Sequence, residues 1–288
     1  MRVIVTGGSG KAGREVVRVV AAAGHEVVNV DLARPAPELD VPGEFCRVDL
    51  TNAGEVYDAF FQVRPEAICH LAANPSPGGQ AQIDVFSNNV ISTYNVLQAA
   101  GDIGVSRIAY ASSEMATGLI HEGVAPTRIP FDESERHPSP NAYALSKYLG
   151  EVIAESLAVR YPETAFVGLR INNVIAPDEY HVLKARRDDP ATGAFNFWSY
   201  IDARDVGGAY LAAITGASTG NEVFLIAAAD TSTDRPLSEL MAAHYPGYDR
   251  IDAGHDDFAS AFSSAKIARM LGWTPRYSWR DQGSEGAG

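Results

Sequence analysis

The chain contains 288 residues, of which 46% are hydrophobic and 20% charged, and its formal net charge is -13. This composition supports a sizeable core, and the negative charge repels nucleic-acid phosphates and anionic lipid, so we expect neither nucleic acid nor a membrane as partner. The two cysteines, Cys46 and Cys69, are isolated in apolar runs, which predicts no metal site and a reducing compartment. Residues 1–10 reach glycine too early for a signal peptide, and no apolar run approaches the roughly 20 residues of a membrane span, so we predict a cytoplasmic protein.

Short apolar segments alternate with longer segments in which apolar residues have helical spacing. In chain order we predict strands at 2–6, 26–30, 45–48, 67–71, 107–111 and 165–170, and helices at 11–23, 53–63, 83–100 and 142–160. Beyond residue 171 a Pro/Asp-rich stretch follows, and then a helix at 206–214, a strand at 223–227 and a helix at 265–271. Near-continuous apolar strands separated by helices are typical of a parallel sheet covered on both faces.

A glycine-rich turn joins the first predicted strand to the first predicted helix. It reads Gly7-Gly8-Ser9-Gly10-Lys11-Ala12-Gly13. Glycines at such a turn let the backbone approach a pyrophosphate, which sits on the helix N-terminus. The second strand runs into Asp31, whose carboxylate can accept both ribose hydroxyls of NAD and would repel the 2′-phosphate of NADP. Arg34 lies close by and could tolerate NADP, so NAD is preferred without excluding NADP.

These features predict an α/β fold, a Rossmann-like doubly wound parallel sheet with a small C-terminal substrate-binding lobe. We assign residues 1–170 to the NAD-binding domain and 171–288 to the lobe, parts of which are interleaved with the sheet domain. The last residues, 283–288, are expected to be frayed.

Further segments carry motifs that appear in a fixed order along the chain. They are GxxGxxG at Gly7, Gly10 and Gly13, HLAA at His70–Ala73, NNV at Asn88–Val90 with Thr93 and Asn95, the serine pair Ser112-Ser113, YxxSK at Tyr143–Lys147, LRxxN at Leu169–Asn173, and a lysine-containing helix leading to LGWTP at residues 264–275. Together these segments resemble the extended short-chain dehydrogenase/reductase family, also called NAD-dependent epimerase/dehydratases. The resemblance covers nearly the whole chain.

The resemblance implies NAD as cofactor and a set of residues beside it, together with a homodimer in which the helices at 88–100 and 142–160 pair across a two-fold axis. The expected cofactor residues are Gly7, Gly10, Lys11, Ala12, Gly13, Asp31, Asp49, Leu50, Leu71, Ala72, Ala73, Asn88, Tyr143 and Lys147. The expected substrate residues are Asn74, Ser112, Ser113, Glu114, Asn172, Asn173 and His181. Asp49 can also serve as a turn-capping aspartate, and Ser112 has a second, structural interpretation because neighbouring strand residues point to opposite faces.

The expected catalytic residues are Tyr143, Lys147 and Ser113. A free tyrosine is a poor base at neutral pH, and a neighbouring ammonium lowers the pKa of its phenol. The i, i+4 spacing places Lys147 on the same helix face as Tyr143. Ser113 would hydrogen-bond the substrate oxygen, and the resemblance implies that Lys147 also bonds the nicotinamide ribose.

Two departures from the family pattern bear on the substrate. Dehydratases of this family have an Asp-Glu pair directly after the catalytic Ser/Thr, where this chain has Glu114-Met115, so dehydration is disfavoured. Only about thirty residues separate Asn173 from Tyr200, which leaves little room for a nucleotide cradle. A region of this length resembles free-sugar dehydrogenases, notably uronate dehydrogenases.

Uronate itself is disfavoured because Glu114 would repel its carboxylate, so neutral and phosphorylated sugars stay open. The basic cluster of Lys184, Arg186 and Arg187 could meet a phosphate, but a solvated loop face is favoured for it.

We therefore predict an NAD-dependent oxidoreductase that transfers a hydride between NAD and a hydroxyl or carbonyl of a small sugar or sugar derivative. The main alternative is a nucleotide-sugar (UDP-sugar type) 4-epimerase with tightly bound NAD. A third possibility is a non-catalytic NAD-sensing regulator, which the intact YxxSK motif and Ser113 disfavour.

Overall fold

A seven-stranded parallel sheet forms the centre of the computed structural model, which describes residues 1–75, 78–121 and 123–283. The strands are β1 (Arg2–Thr6), β2 (Glu26–Asp31), β3 (Glu44–Arg47), β4 (Ala67–His70), β5 (Arg107–Ser113), β6 (Ala165–Ile171), β7 (Val174–Ile175), β8 (Ile201–Asp202) and β9 (Asn221–Ile226). The order across the sheet is β3-β2-β1-β4-β5-β6-β9, while β7 and β8 pair with each other. Of the residues expected to be frayed, 284–288 lie outside the described residues.

Helices cover both faces of the sheet. They are α1 (Lys11–Ala22), α2 (Ala53–Val63), α3 (Gln82–Asp102), α4 (Ala142–Arg160), α5 (His181–Asp188), α6 (Ala203–Thr215), α7 (Leu237–His244) and α8 (Ala265–Leu271). Val3 and Val5 of β1 pack into an apolar cluster with α1 and α6, whereas Ile4 packs into a second cluster with α2, α3 and α4. Because successive strand residues point to opposite faces, one apolar strand supplies both cores.

The predicted α/β fold with a doubly wound parallel sheet is confirmed, and the predicted elements recur with ends shifted by a few residues. After residue 171 the chain returns to the sheet layers through α6 and β9. It also contributes to a third apolar cluster that includes Phe131, Phe197 and Trp198. The division into 1–170 and 171–288 stays a prediction, with α6 and β9 as the parts that interleave. Of the helices in the described ranges, none combines the length and apolar character that crossing a bilayer requires.

The Pro/Asp-rich stretch after β6 is more regular than its sequence indicates. It contains β7, α5, a 3-10 helix at Pro190–Asn196, and β8. Within α5 only Leu183 and Arg186 are buried. Such a short helix with one buried apolar residue gives too weak a periodic signal to be predicted.

A buried ion pair fixes helix α4 to the sheet. Arg170 of β6 donates from Nε and Nη2 to the two carboxylate oxygens of Glu151 on α4, each at 2.9 Å. Ser112 of β5 donates to the same carboxylate at 2.5 Å, and Arg170 Nη1 donates to the Glu133 carbonyl at 2.9 Å. Both charged side chains are less than a tenth exposed. The position of α4 over β5 and β6 therefore depends on this network.

We expect Arg170→Met to destabilise the fold by about 3–5 kcal/mol, because it leaves the Glu151 carboxylate buried without its countercharge. Urea denaturation measures the loss. The matched control is Arg128→Met, which removes an exposed pair with Asp132 and should cost less than about 1 kcal/mol. Similar losses in the two variants would contradict the role given to the buried pair.

Candidate active site

The carboxyl ends of β1, β2, β4, β5 and β6 open onto a cleft of about 930 Å³. All fourteen residues expected to contact the cofactor line it, and so do six of the seven expected to contact the substrate: Asn74, Ser112, Ser113, Glu114, Asn172 and Asn173. In a doubly wound parallel sheet this edge is where ligands bind. The structure thus brings these residues together, while their individual roles stay predictions.

The glycine turn is packed too tightly for side chains. Gly7 has a φ of +70°, and a Cβ on it would lie 2.6 Å from the Ala72 amide nitrogen. A Cβ on Gly13 would lie 2.0 Å from the Gly7 carbonyl oxygen. The residue before α1, Gly10, offers no side chain to cap the helix. Unpaired amide groups at a helix N-terminus, reached through a glycine turn, fit the pyrophosphate of a dinucleotide.

Asp31 stands at the end of β2 beside this turn. Its carboxylate accepts the amide hydrogens of Ser9 at 3.1 Å and Leu32 at 2.7 Å, and it lines the cleft. The guanidinium of Arg34 lies 4.8 Å from the ring centroid of Phe45, and Arg34 is not among the residues that line the described cleft. The carboxylate is therefore held in place at the position where ribose hydroxyls are expected.

Asp49 lines the cleft and also caps a turn. Its Oδ1 accepts from the amide of Thr51 at 2.9 Å and from the hydroxyl of Thr51 at 2.7 Å. These hydrogen bonds lower the pKa of Asp49. The turn-capping interpretation is therefore confirmed, and contact with the adenine edge stays a prediction.

The HLAA segment owes its position to a buried histidine. His70 Nδ1 lies 2.7 Å from Thr6 Oγ1. The same Thr6 oxygen accepts the amide hydrogens of Leu71 at 3.2 Å and Ala72 at 3.3 Å. Burial lowers the pKa of His70 to about 3, with a smaller contribution from Lys147. A neutral His70 therefore bonds Thr6, and Thr6 holds the backbone that borders the cleft.

Asn89 fixes the next part of this wall, a role that the motif alone did not assign. Its side chain accepts from the Asn74 amide at 2.7 Å and donates to the Asn74 carbonyl at 3.1 Å. It also donates to the hydroxyl of Ser146 on α4 at 3.2 Å. The YxxSK serine thereby links α4 to the segment that follows β4.

Tyr143 and Lys147 lie on the first turns of α4, beside the end of β5. Asn141 begins the helix by accepting the Ala144 amide at 2.9 Å. Lys147 Nζ donates to the Ala111 carbonyl at 3.0 Å and lies 5.8 Å from the centroid of the Tyr143 ring. The predicted shared helix face is therefore present.

The prediction that Lys147 lowers the pKa of the phenol is wrong for the protein by itself. Burial raises the pKa of Tyr143 to about 12, although its hydrogen bond with Ser113 acts in the opposite direction. Burial also lowers the pKa of Lys147 to about 8. Removal from water penalises both charged forms, and this penalty exceeds the attraction that the spacing suggested.

The basic cluster predicted at the surface divides in the structure. Lys184 is exposed and pairs with Asp188, and Arg187 lies over the ring of Trp279. Arg186 is buried and donates to the Ser199 carbonyl and to Asn173 Oδ1, each at 2.9 Å. The solvated-face interpretation is therefore wrong for Arg186, because the single inward face of α5 carries it beneath the part of the cleft that Asn173 lines.

Glu114 and His181 lie in opposite environments. Glu114 is 5% exposed, and burial raises the pKa of its carboxyl to about 8 despite the opposing charge of Arg186. His181 is exposed at the start of α5, with Nδ1 3.2 Å from the Asp178 carbonyl oxygen, and it does not line the described cleft. Its assignment as a substrate residue is therefore not supported by its position. Among the described residues, no group of three or more His, Cys, Asp or Glu side chains is placed to hold a metal ion.

The proteins similar to this chain include an epimerase and a dehydrogenase. The UDP-glucose 4-epimerase of Lacticaseibacillus casei is 26% identical over an alignment of 337 residues that covers 100% of this chain and 99% of that enzyme. The L-arabinose 1-dehydrogenase (NAD(P)(+)) of Haloferax volcanii is 30% identical over 189 residues, 62% of this chain and 69% of that enzyme.

The fold agrees with that of a solved epimerase. The crystal structure of UDP-glucose 4-epimerase from Thermotoga maritima with UDP-glucose superimposes with a TM-score of 0.73 at 24% identity, covering 96% of this chain and 94% of that one. A model of the NAD dependent epimerase/dehydratase family matches residues 3–227. Since this match spans most of the chain, the protein belongs to the NAD dependent epimerase/dehydratase family.

Proposed function

We propose that the protein is an NAD-dependent oxidoreductase that acts on a hydroxyl or carbonyl of a small sugar or sugar derivative. One observation carries this proposal: Tyr143, Lys147 and Ser113 converge, buried, in the same cleft as the glycine turn. A proton-transfer group and a dinucleotide cradle in one cleft are the two requirements of carbonyl–alcohol interconversion.

NAD, when bound, supplies the acceptor or donor of a hydride. The turn from Gly7 to Gly13 and the N-terminus of α1 would hold its pyrophosphate, and Asp31 its adenosine ribose. The 2′-phosphate of NADP would meet the carboxylate of Asp31, with Arg34 turned onto Phe45. These contacts favour NAD over NADP.

Within the reaction, Tyr143 would exchange a proton with the substrate oxygen at its Oη. Ser113 would donate a hydrogen bond to that oxygen and stabilise the charge that develops on it. Lys147, held by the Ala111 carbonyl, would bind the nicotinamide ribose. Ser112 takes no direct part, because Glu151 accepts its hydrogen bond.

Within this chemistry, a net dehydrogenase of free sugars is the first candidate. The segment between Asn173 and Tyr200 is short, and β7, α5 and the 3-10 helix at Pro190–Asn196 occupy it. The similarity to L-arabinose 1-dehydrogenase also favours a net dehydrogenase of free sugars. The similarity to UDP-glucose 4-epimerases over nearly the whole chain keeps the 4-epimerase as the second candidate.

We expect NADH to accumulate when the protein is mixed with NAD and a panel of free sugars. The absorbance of NADH measures this reaction. NAD that stays bound through purification, with interconversion of UDP-sugars and no net NADH, would instead establish the epimerase. Binding of NAD without turnover of any sugar or UDP-sugar would contradict both enzyme candidates.

Replacement of Tyr143 by Phe should lower kcat at least about hundredfold, because it removes the proton-transfer group, while the affinity for NAD changes little. The matched control is Tyr148→Phe, one helical position past Lys147, where the ring packs against Arg136 outside the cleft lining. Initial rates and NAD titrations of the two variants decide the point. A Tyr143→Phe enzyme with wild-type kcat would refute the proposed mechanism.

Gly13→Ala should weaken NAD binding at least about tenfold, since the new methyl group displaces the Gly7 carbonyl and with it the turn. Calorimetric titration with NAD measures the change. Gly150→Ala is the control, because a Cβ there meets only Thr93 Cγ2 at an ordinary 3.5 Å. Equal NAD affinities in both variants would show that the turn does not hold the cofactor.

The homodimer and the cytoplasmic location stay predictions. Exposed apolar side chains lie on both helices that the resemblance assigns to the two-fold interface, Ile91 and Tyr94 on α3 and Leu145 on α4. Their exposure is consistent with such an interface.

A further inference from the structure

Glu114 occupies a position that the proposed mechanism does not use. It follows Ser113 directly and begins a 3-10 turn at Glu114–Thr117. It lines the cleft, and it lies near enough to Tyr143 for its charge to raise the pKa of the phenol. The parts of a substrate next to the reacting oxygen must therefore pass close to this carboxyl.

Two polar atoms at this end of the cleft are buried and unpaired. The Asn196 side chain and the Asn173 backbone lie beside the Glu114 carboxyl and help to lower its pKa. Oε2 of Glu114 and Nδ2 of Asn172 nevertheless have no hydrogen-bond partner among the described residues, and both side chains belong to the cleft lining. Buried polar groups are nearly always hydrogen-bonded, so a missing partner indicates a group that a ligand supplies. A sugar hydroxyl can donate to a carboxyl oxygen and accept from an amide.

The same end of the cleft offers no spare positive charge. Within the described part of the chain, the only basic residues that line the cleft are Lys11 and Lys147. Lys11 pairs with Glu179 at 2.6 Å beside the glycine turn, and Lys147 belongs to the catalytic group. Arg186 lies behind the wall, where the Ser199 carbonyl and Asn173 occupy its guanidinium. A substrate carboxylate or phosphate here would find no cation to pair with, and above about pH 8 it would also meet the ionised carboxyl of Glu114.

We propose that Glu114 is the specificity-determining residue that makes this site select uncharged sugars and reject sugar acids and sugar phosphates. This inference rests on the proposed function and narrows its substrate class. Arg186 compensates the carboxylate from behind, and this keeps Glu114 inside the wall without presenting a cation to the substrate. The neutral hydroxyls of the substrate then complete the hydrogen bonds of Glu114 and Asn172.

The test compares kcat/KM for glucose, glucuronate and glucose 6-phosphate, and for the matched galactose series, at about pH 9, where Glu114 is mostly ionised. We expect the wild type to prefer the neutral sugar at least about tenfold over both anions. Glu114→Gln, which keeps the shape and removes the charge, should reduce that preference at least about fivefold. Glu163→Gln changes the net charge equally at an exposed site and should leave the preference unchanged.

The ratio of kcat/KM for the neutral sugar to kcat/KM for each anion separates a change in specificity from a loss of stability, because an unstable variant loses activity on all of these substrates. A wild-type preference for either anion, or equal ratios in the two variants, would overturn the proposal. If no free sugar is turned over, the proposed dehydrogenase fails, and UDP-glucose is compared with UDP-glucuronate by turnover or by calorimetric affinity in the presence of NAD. In that case the same ratios support or overturn the role of Glu114.

Discussion

The burial of Tyr143 and Lys147 against the end of β5 is the constraint on which the rest of the site depends. The bond from Lys147 Nζ to the Ala111 carbonyl exists only because α4 lies flat on the sheet, and the Arg170–Glu151 pair with Ser112 holds it there. Removal from water raises the pKa of Tyr143 and lowers that of Lys147. At neutral pH the phenol of Tyr143 is therefore protonated, while Lys147, with a pKa of about 8, keeps most of its positive charge. The positive nicotinamide ring of a bound cofactor would favour the phenolate.

The two ends of the cleft differ in the charged and polar groups that they present. At one end, glycine backbone and the uncapped start of α1 can receive phosphate through amide dipoles, with Lys11 already paired to Glu179. At the other end, Glu114 lines the cleft and Arg186 stays behind the wall. This difference fits the proposal of an anionic cofactor at one end of the cleft and an uncharged substrate at the other.

Much of the fold and of the candidate site was predictable from local sequence motifs. The glycine turn and Asp31 belong to a strand–turn–helix–strand unit with regular spacing, the Tyr143–Lys147 pair lies within one helix, and the apolar strands predicted the sheet. The inward turn of Arg186 and the outward position of His181 were not predictable, because tertiary packing of an eight-residue helix decides which face is buried. The direction in which the pKa of Tyr143 shifts also depends on burial, and the spacing of two residues in a sequence does not reveal burial.

The most direct measurement is a pH titration of the phenolate absorbance of Tyr143, obtained as the difference between wild type and Tyr143→Phe, with and without saturating NAD. In the protein alone we predict no phenolate signal from Tyr143 up to about pH 10, because burial holds the pKa of its phenol near 12. With NAD bound, the signal should appear below about pH 10, since the added positive charge favours the phenolate. Titration of Tyr143 at the same pH in both samples would contradict activation of the buried pair by the cofactor.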